Sequence, residues 1–292
     1  MINKVKLKNN IYKLKEVYRK LSVPQFTIVT GLIIIFFGTL ILSSPLCSSS
    51  DVGLWEAFFT STSAITVTGL TIIDIGVDLN TFGQIFLAFM LLSGGLGLMA
   101  ITTFLQGFVV KGTQLRTRLD KGKTLDEFGV GGIGRTFQSI AITAISIISF
   151  GAIILYFFGF LEIQNNWERL WSSIFHSISA YNNAGFSLWS NSLQNYRSNF
   201  VVNIVFIFLI VMGGLGWRVI DDLWSNRKNL SYKKLSLHSR LVIRTSFSLI
   251  VFGSLGFFVT ETLLNSQFFS DLNLFQKILS SIFETVSART AG

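Results

Sequence analysis

Apolar residues gather along the chain into five runs, at positions 26–46, 82–105, 140–161, 200–220 and 241–260. Each supplies the roughly 20 apolar residues that a helix needs to cross a bilayer core of about 30 Å, so all five are predicted to be transmembrane helices. Three shorter helical stretches stand apart from them: 54–64 (LWEAFFTSTSA), 170–180 (LWSSIFHSISA) and 278–288 (ILSSIFETVSA). Their length suits re-entrant helices that enter the membrane without crossing it. All three carry Phe (Phe59, Phe175, Phe283) and then, after three residues, a Ser-Ala pair at Ser63-Ala64, Ser179-Ala180 and Ser287-Ala288. Shared helix propensity alone would not produce that register, so the chain contains an internal repeat.

Each short stretch leads into a small polar loop that ends in glycine. The loops are Ile65-Thr66-Val67-Thr68-Gly69, Tyr181-Asn182-Asn183-Ala184-Gly185 and, one residue shorter, Arg289-Thr290-Ala291-Gly292. The next apolar run then carries Gly-Gly-Leu-Gly, at 94–97 in the first unit and 213–216 in the second. The predicted architecture is an all-α polytopic membrane protein built of helix, pore helix, loop and helix. It divides into a basic N-terminus (1–24), a first unit (25–105), a connection (106–139), a second unit (140–220), a connection (221–240) and an incomplete third unit (241–292). The third unit stops inside its loop, which predicts a fragment or a truncated reading frame.

Composition agrees with this pattern. Of 292 residues, 50% are hydrophobic and 13% charged, with 29 Phe and 2 Pro, more apolar surface than a soluble core needs. The first apolar run is too long for a signal-peptide core and lacks a cleavage site, so it is a retained helix. The net charge of +9 is sorted by side. With the N-terminus cytoplasmic, the N-terminal tail, the 106–139 connection and the stretch 218–244 hold 20 of the 24 Lys and Arg residues. The opposite side keeps only Arg169, Arg197, Lys277 and Arg289 against nine acids, which is the positive-inside pattern of a multi-pass cell-membrane protein. No basic segment is long enough to form a folded nucleic-acid surface, so nucleic acid is excluded as a partner and the bilayer is the expected one. Cys47 is the single cysteine, so there is no disulfide or metal framework.

Irregular backbone at membrane depth is tolerated only where it is buried in protein or lines a water-filled cavity, so the repeated loops imply a shared lumen. Backbone carbonyls there would replace the hydration shell of an ion, and glycine lets them turn inward because it reaches positive φ. Helix C-termini aimed at the lumen carry partial negative charge and favour a cation. The expected filter is therefore Thr66, Val67, Thr68 and Gly69, with Asn182, Asn183, Ala184 and Gly185, and with Thr290, Ala291 and Gly292. It would bind potassium, with sodium as the alternative, through backbone oxygens and without any cofactor. No Ser/His/Asp set or carboxylate cluster points to catalysis.

TSTSAITVTGL, FHSISAYNNAGF, SARTAG and both GGLG segments resemble the membrane subunit (KtrB/TrkH type) of the Trk/Ktr/HKT superfamily of potassium transporters. That family has four such units in one chain, so the resemblance covers the first two and a half and implies that the rest of the third unit and the fourth are missing. It further implies potassium uptake, a homodimer and a cytoplasmic nucleotide-binding regulatory ring. Sodium or sodium-coupled transport and a non-conducting truncated scaffold are the alternatives.

Other features read more plainly. The GGLG glycines suit close helix packing rather than a hinge. His176, aligned with Thr60 and Glu284, suits a hydrogen-bonded packing role. Glu284 and Arg289 are either functional groups or a structural pair beside the third loop. The G-x-G-x-x-G match at 129–134 lacks a βαβ setting and reads as a connection. The six Trp residues read as an interfacial belt.

Overall fold

The computed structural model describes residues 23–95, 130–227, 234–264, 267–270 and 272–290. Among the described residues, nine helices longer than one turn carry the architecture: α1 (Val23–Leu42), α2 (Leu54–Thr66), α3 (Thr81–Gly95), α4 (Val130–Ile154), α5 (Asn166–Tyr181), α6 (Phe200–Leu215), α7 (Trp217–Ser225), α8 (Leu237–Leu263) and α9 (Leu274–Thr290). A π-turn, Leu155–Gly159, extends α4. Among the described residues there is no strand beyond one isolated bridge, between Ser48 and Leu79.

The short helices begin with local caps. Glu56 accepts the Gly53 N–H ahead of α2, and Asn165 accepts the Trp167 N–H at 3.0 Å in α5. Ahead of α9, Asn273 and Gln276 exchange side-chain and backbone bonds at 2.9 and 3.0 Å, a reciprocal capping box. Each capped helix packs in a repeated way: α2 lies against α1 and α3, α5 against α4 and α6, and α9 against α8. Each unit also grips the next, α3 resting on α5 and α6 on α9. One inter-unit bond runs from Trp171 Nε1 on α5 to Gln84 Oε1 on α3 at 2.7 Å.

Polarity is arranged inside out relative to a water-soluble protein. The interior holds Thr60, Ser61, Ser173, His176 and Ser177, all 1% exposed or less, while Phe36, Phe89, Phe158, Phe247 and Phe252 on the long helices are 60% exposed or more. Lipid is the solvent that tolerates such an exterior.

Among the described residues, two helices are long and apolar enough to cross a bilayer, Gln138–Gly159 and Leu237–Leu263. The apolar run at 200–220 is not one straight span: α6 ends at Leu215 and α7 leaves at 97°, the turn being made at Gly216 with φ +81°. The first and second expected spans are represented by the shorter apolar helices Thr27–Leu42 and Thr81–Gly95. Positions 96–105 of the second expected span lie outside the described residues, as does most of the 106–139 connection. Positions 131–134 of the G-x-G-x-x-G match lie inside α4, so no open phosphate-cradling loop is formed there.

Five of the six tryptophans fall into two groups. Trp55, Trp167 and Trp224 are more than 60% exposed, whereas Trp189 stacks on His176 with ring centroids 4.1 Å apart and Trp171 makes the inter-unit bond. Only part of the set therefore has the outward exposure that a belt residue needs, because local sequence does not show which indole faces a neighbouring unit.

Candidate ion-filter loops

α2 and α5 end at the two complete polar loops, and both ends have the same conformation. Val67 and Asn183 occupy the left-handed region at φ +55° and +56°, and two residues later Gly69 and Gly185 do so at +84° and +70°. Between them, the Thr68 N–H donates to the Ser63 carbonyl at 2.9 Å and the Ala184 N–H to the Ser179 carbonyl at 2.9 Å. Ser63 and Ser179 occupy equivalent repeat positions, so backbone geometry repeats along with sequence. The β-branched Val67 is strained at positive φ, by about 1–3 kcal/mol, and persists only because its surroundings impose it.

These bonds use the loop donors on the helix ends and leave oxygens behind. Among the described residues, no hydrogen bond ends on the carbonyls of Val67, Thr68, Gly69, Ala184 or Gly185. The threonine side chains are engaged locally, Thr66 Oγ1 donating to the Thr62 carbonyl at 2.8 Å and lying 2.6 Å from Thr68 Oγ1. Asn182 is buried; its Nδ2 donates to the Ile178 carbonyl at 2.8 Å, and its Oδ1 has no hydrogen-bond partner. The two loops touch through backbone, for a Cβ on Gly69 would stand 2.6 Å from the Ala184 carbonyl oxygen.

The GGLG segments support the loops. A Cβ on Gly94 would lie 2.6 Å from the Ile65 carbonyl oxygen, and a Cβ on Gly213 would collide with the Tyr181 carbonyl, the equivalent position. The second glycine of each pair faces the following unit: Gly95 sits against the Asn182 side chain and Gly214 against the Arg289 guanidinium. The close packing expected of these glycines is thus packing of a long helix onto loop-bearing helix ends. Gly97 lies outside the described residues. Thr290 is the last residue of α9, and Ala291 and Gly292 fall outside the described residues.

Beside the second loop, a cavity of about 850 Å³ is lined by His176, Ser179, Gly185, Arg197, Glu284 and Ser287 among others. It brings α5 and α9 to a common space and places Glu284 and Arg197 in it, while Arg289 lies apart against Gly214. His176 and Ser179, which tie the second loop down, are residues that sequence reasoning did not single out as site residues. Their signal was the repeat register itself, in which Ser179 coincides with Ser63.

Fold and site define a polytopic, all-helical membrane protein organised around glycine-ended loops at helix C-termini. The family described as TrkH, cation transport protein, matches residues 39–292. The Ktr system potassium uptake protein B of Bacillus subtilis is 33% identical over 270 residues, which are 92% of this chain and 59% of that protein. The potassium/sodium uptake protein NtpJ of Enterococcus hirae is 31% identical over 285 residues, 95% of this chain and 61% of the relative. The crystal structure of the potassium transporter TrkH from Vibrio parahaemolyticus superposes with a TM-score of 0.61 at 19% identity, covering 92% of this chain and 51% of that one, a likeness of fold. The chain belongs to the TrkH family of cation transport proteins. It spans about three-fifths of the length of the curated relatives it matches.

Proposed function

We propose that this chain forms part of a potassium-conducting pathway whose filter is built from the backbone oxygens of Thr66, Val67, Thr68 and Gly69, of Asn182, Asn183, Ala184 and Gly185, and of Thr290, Ala291 and Gly292. The observation that carries the reading is the pair of touching loops with matched positive φ in which, among the described residues, the carbonyls of Val67, Thr68, Gly69, Ala184 and Gly185 accept no hydrogen bond. Carbonyl dipoles with no N–H partner can replace ion hydration without the formal charge that would hold the ion permanently. The C-termini of α2 and α5 add negative potential at the same place.

With this reading go its wider parts: two complete helix, pore-helix and helix units followed by a third, re-entrant loops, a cytoplasmic N-terminus in the cell membrane, a homodimer, and a cytoplasmic nucleotide-binding regulatory partner. The last two rest on family membership. A sodium or sodium-coupled pathway is the second reading, favoured by the relative named for both ions. The test is competition between radiolabelled rubidium and sodium for the chain purified in lipid nanodiscs. Rubidium displaced by potassium but not by sodium supports the potassium reading, equal displacement supports the second, and no saturable binding overturns both.

A further inference from the structure

The second loop is tied down on its far side, and the first is not. His176 on α5 is 1% exposed, and its two ring nitrogens face different kinds of partner. Nδ1 lies 2.8 Å from the Ser172 carbonyl, which can only accept, so Nδ1 carries the proton. Nε2 lies 3.4 Å from the Leu188 backbone nitrogen, which can only donate, and 3.1 Å from Ser187 Oγ. Ser187 Oγ in turn accepts the Trp189 N–H at 3.0 Å, so its own proton is free to go to Nε2. The Trp189 ring stacks on the imidazole, and Ser179 Oγ donates to the Phe186 carbonyl at 2.6 Å. Every residue from Phe186 to Trp189, the four that follow Gly185, is thus held by α5.

In the first unit the positions of His176 and Ser179 are taken by Thr60 and Ser63, both buried with side-chain oxygens that have no partner. Three of the four residues beyond Gly69 are correspondingly outward, with Leu70 at 60% and Ile72 at 53% exposure, and only Ile73 turns inward. Among the described residues the tether is therefore present in the second unit and not in the first.

We infer that His176 is a positioning residue of the ion filter: as the Nδ1–H tautomer it clamps residues 187–189 and so holds the Ala184 and Gly185 carbonyls in place against Gly69. The inference rests on the filter reading given above. A ring held only for packing would be replaced best by another ring. A clamp needs an acceptor where Nε2 stands. Gln reaches that far end with a carbonyl oxygen, Asn reaches only the near end, and Phe keeps the stack on Trp189 while losing both bonds.

The test uses the chain in lipid nanodiscs. Nitrogen-15 histidine spectra, with His238→Gln to remove the second signal, should show the Nδ1–H tautomer, and the Leu188 amide should exchange slowly with solvent. Rubidium-over-sodium discrimination should be largely kept in His176→Gln and fall by about tenfold in His176→Phe and His176→Asn, the worth of one or two net hydrogen bonds. An Nε2–H tautomer, a fast-exchanging Leu188 amide, or His176→Phe matching the unmodified chain would overturn the clamp. No discrimination in the unmodified chain would instead overturn the filter reading, the spectra and exchange still deciding the clamp.

Discussion

Replacing Gly69 by Ala tests whether contact between the loops sets the filter. Two separate costs arise there. At φ +84° a Cβ pays the left-handed penalty, about 1–2 kcal/mol. It would also stand 2.6 Å from the Ala184 carbonyl oxygen, whereas ordinary contact begins near 3.4 Å. Because the obstacle is backbone, the loops must part by roughly 0.8 Å, a displacement that would move the proposed filter oxygens away from a bound ion. Two other glycines separate these terms. Gly216 has φ +81° with nothing within 4 Å, so Gly216→Ala carries the conformational strain alone. Gly256 lies in α8 with nothing within 4 Å, so Gly256→Ala carries neither cost and should stabilise the helix by up to about 1 kcal/mol. Melting temperatures in nanodiscs should rank Gly256→Ala highest and Gly69→Ala lowest. Rubidium-over-sodium discrimination should fall only in Gly69→Ala, by about tenfold or more, corresponding to at least 1.4 kcal/mol. Discrimination falling equally in Gly216→Ala and Gly69→Ala would refute the role of the loop contact.

Three further outcomes are expected. Gly185→Ser, which places a Cβ at φ +70°, should change potassium-over-sodium preference more than expression, and unchanged competition curves would count against the second loop as filter. A cysteine introduced at Thr117, in the connection with six cations, should react with an impermeant reagent only from the cytoplasmic side; labelling from outside intact cells would invert the proposed orientation. Asp222 on α7 is held below the usual carboxylate range by hydrogen bonds from the Ser239 side chain and then from Ser236, whose backbone N–H lies 2.9 Å from Oδ2. A depressed folded pKa gives stability that is present above the ordinary value of about 3.9 and lost as pH falls through the folded one. Melting of the unmodified chain should therefore decline in that acid window, and Asp222→Asn should flatten the decline; parallel curves would show that these hydrogen bonds carry no linkage.

Helical class, membrane class and family were legible in the residues, because each depends on pattern over a short distance. Runs of apolar residues need no partner to declare themselves, and the register shared by Ser63-Ala64, Ser179-Ala180 and Ser287-Ala288 is a property of spacing. Positive φ at Gly69 and Gly185 is local too, since the residue type permits it and the repeat demands it. Other features depend on what lies across the interior. Val67 is not a residue that announces a left-handed turn, although Asn183 is one that tolerates it; helix-end hydrogen bonds from the following residue impose it at both. The GGLG glycines promise close approach, but only the fold shows that they approach Ile65 and Tyr181, and that their neighbours meet Asn182 and Arg289 of the next unit. Nothing in the apolar run at 200–220 marks where α6 stops, because Gly216 turns the chain by 97° within it. The hydrogen-bonded packing role read for His176 came without partners, because Ser187 and Leu188 lie beyond the loop and are reached only once the chain has turned back on α5. Spacing along the chain determined which segments repeat; tertiary contact decided which of their atoms are spent on one another and which carbonyls remain.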